Sequence, residues 1–312
     1  MGKLSVIGSV NLDVVATVEN LPRPGETVIA SSLEYFLGGK GANQAVAAQK
    51  VGVETVFYAC IGDDSEASFL VDNLTKVGVD VAQVKTKSKT FSGRAYINVD
   101  HAGENEVVVL PGANAELEFD ESKLDDATAV ALAQLETAIE PTVQFFKSCQ
   151  KKHAMTILNA APFVAEARLK LFELSDIIIV NEVELAGYCG VDEIPEDVED
   201  IILLLRSLIS RNDQAVIVTC GAAGALCVHG KDVIVVAARF TQVVDSTGAG
   251  DCFSGVLAAG IVQGLSLKEA LQRASIASSL SVESKGASAS SPFLADIEAE
   301  IQKNQITEGA ET

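Results

Sequence analysis

SVIGSVNLDVVATVE, residues 5–19, changes character part-way along. Its first five residues, SVIGS (5–9), are a nearly continuous apolar run. A strand buried on both faces reads this way, as in a parallel sheet covered by helices. From Asp13 the pattern alternates: Asp13, Val15, Thr17 and Glu19 share one face, and Val14, Ala16 and Val18 the other. A half-exposed antiparallel strand has that period. The chain therefore leaves its main sheet straight after the first strand.

Both strand types recur. AVALAQ (129–134), DIIIV (176–180) and AVIVT (215–219) repeat the buried run. Helical spacings separate them, over 41–51, 64–77, 140–151, 182–189 and 197–210. This alternation predicts an α/β fold, a doubly wound and mostly parallel sheet flanked by helices, within one domain over 1–312. The alternating pattern returns in SGRAYINVD (92–100), where Ala95, Ile97 and Val99 oppose Arg94, Tyr96 and Asn98. A small antiparallel β lid is expected from two insertions, at roughly 13–37 and 91–110. The polar end, KNQITEGAET (303–312), is expected to be a flexible tail.

The composition narrows the function classes. The 312 residues are 48% hydrophobic and carry a net charge of −20. The chain is globular rather than disordered, and a protein that tracks phosphate backbones would be basic, so nucleic acid is not an expected partner. No apolar run reaches the ~18 residues of a membrane span, so no membrane partner is expected either. Six cysteines are scattered singly, without a CxxC pair. They read as reduced thiols of a cytoplasmic protein.

There is no GxxxxGK[ST] phosphate loop, and GSVNLD after the first strand is not GxGxxG. Two glycine-rich segments remain, LGGKGANQAVAA (37–48) and STGAGDCF (246–253), each opening a helix. Helix starts present unpaired N–H groups and partial positive charge. Small residues in the turn let the backbone approach an anion. Gly248, Ala249 and Gly250 are thus a candidate cradle for a phosphate, with the carboxylate of Asp251 beside it.

GGKGANQAVAA (38–48) and DSTGAGDCFSG (245–255) resemble the two signatures of the PfkB family of carbohydrate kinases, the first in its ribokinase wording. PGETV (24–28), GDD (62–64), NEVE (181–184) and VTCGAAG (218–224) follow the family order. The resemblance implies an ATP-dependent kinase transferring phosphate to the 5-hydroxyl of D-ribose. Related sugar or nucleoside kinases are the alternative, as is an inactive sugar-binding homologue. Asp251 would be the catalytic base and the N–H groups of Gly248, Ala249 and Gly250 the anion hole. Asn11, Asp13, Gly39, Lys40, Asn43 and Glu136 would bind the sugar. Asn181, Thr219, Gly221, Gly224 and Ser275 would line the nucleotide site, with Gly250. Glu184 would serve Mg²⁺ through water. An activating K⁺ would take oxygen ligands from Asp245, Thr247, Ser281, Ser284, Gly286 and Ser290, partly through carbonyls. A homodimer in which the lids clasp is implied as well. A helix N-terminus favours an ionised carboxylate, so Asp251 is expected to be a weakened base.

Overall fold

The computed structural model describes residues 2–310, with side chains from 2 to 303. In chain order the strands of the main sheet are β1 (Lys3–Ile7), β4 (Thr55–Gly62), β5 (Asp80–Lys87), β8 (Thr128–Ala133), β9 (Met155–Asn159), β10 (Ile177–Asn181), β11 (Ala215–Thr219), β12 (Ala225–His229) and β13 (Asp232–Val236). They lie in the order β13-β12-β11-β10-β9-β8-β1-β4-β5. From β11 to β5 every pairing is parallel, and β12 and β13 add an antiparallel edge.

The continuous apolar runs have the expected cause: successive residues feed two separate cores. Ile177 and Ile179 enter one, and Ile178 and Val180 the other. The first core lies under helices α1 (Lys40–Lys50), α2 (Glu66–Val77), α7 (Ala249–Val262), α8 (Leu267–Ser281) and α9 (Leu294–Ala310). The second lies under α3 (Ile139–Lys151), α4 (Ala165–Lys170), α5 (Glu182–Cys189) and α6 (Val198–Leu208). Helix α9 takes the backbone to Ala310, so the end of the expected tail lies outside the described residues.

The strand order reverses between β1 and β8. β4 and β5 build outward on one side, and β9, β10 and β11 on the other. Ligands of open α/β sheets bind at such a switch point, outside the carboxyl ends of the strands. Ser9, Gln134, Asn159, Asn181 and Thr219 stand at or just beyond those ends.

The lid consists of β2 (Asn11–Thr17), β3 (Ser32–Gly38), β6 (Gly93–Val99) and β7 (Asn105–Leu110), in the order β3-β2-β6-β7. β2 with β3 and β6 with β7 are antiparallel. The central pair, β2 with β6, is parallel. β2 follows β1 and β6 follows β5, two parallel strands of the main sheet, so both enter the lid in the same direction.

Candidate active site

Asp251 sits in the first turn of α7, only 6% exposed. Gly248 caps the helix with φ 77°, and a Cβ there would lie 2.6 Å from the Cβ of Ala287. Only glycine meets both demands. Gly250 differs: a Cβ built on it meets nothing within 4 Å, because it faces a cavity. Each oxygen of Asp251 accepts one amide from α1. Asn43 Nδ2 donates to Oδ2 at 2.9 Å, and Gln44 Nε2 to Oδ1 at 2.9 Å. The two glycine-rich segments thus meet at one carboxylate. Gly255 makes the approach possible, since a Cβ there would stand 2.4 Å from the Gln44 carbonyl oxygen.

Sequence reading did not single out Gln44, Gln134 or Asn159, yet they complete this network. Gln134 Nε2 donates to Gln44 Oε1 at 2.7 Å, which turns the Gln44 amide nitrogen toward Asp251 and Asn159. All three are buried. The available signal was a polar residue closing an apolar strand run, as Gln134 closes AVALAQ and Asn159 closes MTILN.

Burial dominates the electrostatics of Asp251. Desolvation raises its pKa, against the lowering influence of Lys40, Asn43 and Gln44. The direction is opposite to that expected from the helix start alone, because removing water from a buried charge disfavours the ionised form. Asp13 is likewise pushed up to about 7, first by burial and then by the charges of Glu136 and Asp251. Lys40 answers this cluster, its pKa raised chiefly by Asp251. Asp13 occupies space that Gly38 leaves, for a Cβ at Gly38 would lie 2.0 Å from its carboxylate.

Glu136 lies across the start of α1. Its Oε2 accepts from Ser9 Oγ at 2.5 Å and from the backbone N–H of Lys40 at 3.0 Å. Gly39, with φ 87°, packs against the backbone of residues 9–11. Asn11 accepts at Oδ1 from Asn114 Nδ2, 2.8 Å away.

Two cavities flank this cluster. One, of about 170 Å³, is lined by Lys40, Asn181, Glu184, Thr219, Ser246 and the 248–251 turn, among others. The other, of about 510 Å³, lies beneath the lid. Asp13, Val15 and Thr17, which share a face in the sequence, line it together with 243–247 and 285–287.

On the first cavity, Asn181 and Glu184 form a reciprocal cap on α5. Asn181 Oδ1 accepts from Glu184 N, and Glu184 Oε2 from Asn181 N, both at 2.8 Å. Burial raises the pKa of Glu184. One carboxylate on a cavity wall fits Mg²⁺, which keeps waters and takes its other ligands from substrate phosphates. Among the described residues no group of three or more His, Cys, Asp or Glu is placed to hold a metal ion. Gly221 is open, with φ 48°, whereas a Cβ at Gly224 would strike the Val236 carbonyl oxygen at 2.1 Å. Ser275, like Gly221 and Gly224, is not among the residues lining either cavity. It is buried, and its hydroxyl donates to the Ala237 carbonyl at 3.2 Å.

The loops expected to hold K⁺ are adjacent. Asp245 accepts from Thr247 N at 2.9 Å and from Gly286 N at 3.0 Å. Ser281 Oγ donates to Ser278 O and Ser290 Oγ to Ala287 O, while Ser284 is exposed. One carboxylate among carbonyls and hydroxyls fits a large monovalent cation. Lys50, which sequence reading passed over, clamps this loop: its Nζ donates to the carbonyls of Ser288, Ala289 and Ser291 at 2.8–3.1 Å.

Known proteins resemble this chain over nearly all of its length. A bifunctional ribokinase/ribose-5-phosphate isomerase A of Fructilactobacillus sanfranciscensis is 34% identical over 98% of this chain, which spans 57% of that longer protein. A deoxyribokinase of Salmonella typhi is 32% identical, over 97% of this chain and 99% of its own. The structure of Arabidopsis thaliana ribokinase complexed with ribose and ATP superposes with a TM-score of 0.87 at 28% identity, covering 96% of this chain and 98% of that one. The sequence matches the pfkB family of carbohydrate kinases over residues 1–294. With that match and this fold, the chain belongs to the pfkB family of carbohydrate kinases and is a phosphotransferase acting on a sugar hydroxyl.

Proposed function

We propose that this kinase transfers the γ-phosphoryl group of ATP to the 5-hydroxyl of D-ribose, giving D-ribose 5-phosphate. The observation that carries the reading is the buried carboxylate of Asp251, held by Asn43 and Gln44 where the glycine turn opens α7. Burial raises its pKa, the direction that suits a proton acceptor for the attacking hydroxyl. The backbone N–H groups of 248–250 would stabilise charge on the transferring group, which is where phosphoryl transfer most needs help.

The lid cavity would hold the sugar. Asn43 Oδ1 is a buried acceptor without a partner, a costly arrangement that a sugar hydroxyl would relieve. Asn11, Asp13, Gly39, Lys40 and Glu136 would complete the polyol site, with carboxylates accepting from hydroxyls. Asn181, Thr219, Gly221 and Gly224 would face ATP. Glu184 would orient hydrated Mg²⁺, which neutralises phosphate charge when bound. Asp245 with the carbonyls and hydroxyls of Thr247, Ser281, Ser284, Gly286 and Ser290 would hold K⁺ and so stiffen the turn before α7.

The outer face of the lid would form a homodimer. Tyr35, Val14, Tyr96 and Val108 stand in one cross-strand row, and Tyr35, Tyr96 and Val108 are exposed. A row of this kind asks for a partner.

Release of ADP with D-ribose, 2-deoxy-D-ribose, D-fructose and adenosine, in K⁺ or Na⁺ at equal ionic strength, tests the reading. D-Ribose is expected to show the highest kcat/KM and K⁺ to stimulate. A higher kcat/KM for 2-deoxyribose, fructose or adenosine would replace the assigned acceptor. Equal rates in the two salts would remove the K⁺ site.

A further inference from the structure

Asn114 follows the lid in the 3-10 turn Gly112–Glu116 and is almost fully buried. Its orientation is dictated by backbone, whose polarity is unambiguous. Asn114 Oδ1 accepts the N–H of Val10 at 3.0 Å, so its Nδ2 must lie on the other side, where it donates to the Val10 carbonyl at 3.1 Å. The same Nδ2 donates to Asn11 Oδ1 at 2.8 Å. An amide whose oxygen is fixed has its nitrogen fixed as well. Asn11 therefore turns its NH₂ away from Asn114. Asn11 lies two residues before Asp13 on the same face of β2, and Asp13, Val15 and Thr17 of that face line the lid cavity. Gly93 gives the pair room, since a Cβ there would stand 2.1 Å from Asn114 Nδ2 and 2.2 Å from Asn11 Oδ1.

We propose that Asn114 is a positioning residue for acceptor recognition: it locks Asn11 so that a donor NH₂, not a carbonyl oxygen, meets the sugar. The inference rests on the reading of Asn11 as a sugar contact. It goes further in assigning the polarity of that contact and the residue that sets it. A locked donor accepts only an oxygen lone pair at that point, so an acceptor lacking the oxygen leaves a buried N–H unpaired. A free amide could flip and tolerate either hydrogen-bond polarity.

The test is steady-state kinetics of the full-length chain with D-ribose as the varied substrate. Wild type, Asn114→Ala, Asn11→Ala and the double variant are compared, with KM for ATP and Tm measured alongside. Each single substitution is expected to raise KM for ribose roughly tenfold, with KM for ATP unchanged. Asn114→Ala is expected to add nothing on the Asn11→Ala background. If Asn11→Ala raises KM for ribose and Asn114→Ala does not, the positioning role is wrong while the sugar site stands. If Asn114→Ala keeps its full effect without Asn11, it acts by another route and the inference fails. If neither variant moves KM for ribose, the Asn11 contact falls, and the inference with it. Should Asn114→Ala not fold, ¹H–¹⁵N spectra of the wild type decide. The Asn11 side-chain NH₂ should shift on adding ribose while that of Asn114 stays. A stationary Asn11 pair, or both pairs moving alike, overturns the proposal.

Discussion

Asn43 of α1 donates its side-chain amide to Oδ2 of Asp251 on α7 at 2.9 Å, across 208 residues of chain. Gln44, the next residue, reaches Oδ1 of the same carboxylate. Consecutive residues of a helix point about 100° apart, so both can meet one carboxylate only if it sits close against the helix. The close packing at Gly255 supplies that approach. The carboxylate is consequently held in one orientation, at the mouth of the cavity that carries the glycine turn.

Gln44→Leu removes one of these donors while keeping the volume of a fully buried side chain. Donors to the charged form lower a carboxylate pKa, so their loss raises that of Asp251 further. The acid limb of the kcat profile should move to higher pH, with kcat down roughly tenfold on the plateau. Lys40, Asn43 and Glu136 also act on this carboxylate and are left in place. An unmoved profile would mean that Gln44 does not govern the base.

Two glycines of the turn should respond differently. Gly250→Val has open space and no backbone strain, so the protein should fold with a near-normal Tm. Its side chain would project into the cavity and cut turnover roughly 10²-fold. Gly248→Ala meets positive φ and the Ala287 contact, and should lose about 1–3 kcal/mol of stability. Thermal melts and kcat for both variants separate the cases. Full activity in Gly250→Val would remove the anion hole.

Asp13 should reveal itself in stability. Its pKa in the folded chain, about 7, stands above the ordinary 3.8. Between those values the folded form holds a proton that the unfolded form has lost, so its contribution to stability falls as pH rises from about 4 to 7. Asp13→Asn removes the penalty. The stability gain over wild type, read from thermal melts, should therefore be larger at pH 8 than at pH 5, on the order of a few kcal/mol at most, while KM for the sugar rises. A gain independent of pH would place the proton elsewhere.

The lid row offers a separate test. Val108→Glu, on the exposed face of β7, should convert a dimer to a monomer in sedimentation velocity and leave the main sheet intact. A wild-type chain that sediments as a monomer would set the dimer aside.

Much of this was legible in the sequence, and the reasons for the rest are physical. SVIGS, DIIIV and AVIVT announce the main sheet because successive residues must enter opposite cores. The switch from that pattern at Asp13 announces the lid. The β12–β13 edge is harder to read. It pairs antiparallel with β11, and short apolar strands of that kind carry no crossover helix to mark them. Asp251 and Asn43 stood in segments whose glycines drew attention, and Asp13 stood where the strand pattern switches. Gln44, Gln134, Asn159 and Asn114 come from four different elements, and nothing in their spacing pairs them. The sign of the Asp251 shift also escaped, because burial belongs to the assembled fold and a helix start is visible locally. Ser275 shows the opposite difficulty: a polar residue on a helix reads alike whether it faces a ligand or bonds a carbonyl in the interior, as Ser275 does with Ala237.

The base assignment is tested most directly by kcat of Asp251→Ala with D-ribose and saturating ATP, beside the Kd for ATP. General-base help typically contributes ~10²–10⁴-fold. Turnover should fall within that range while ATP affinity stays nearly unchanged, and Asp251→Asn should behave alike with less change in shape. Turnover near that of the wild type in Asp251→Ala would contradict the role of this carboxylate in the reaction.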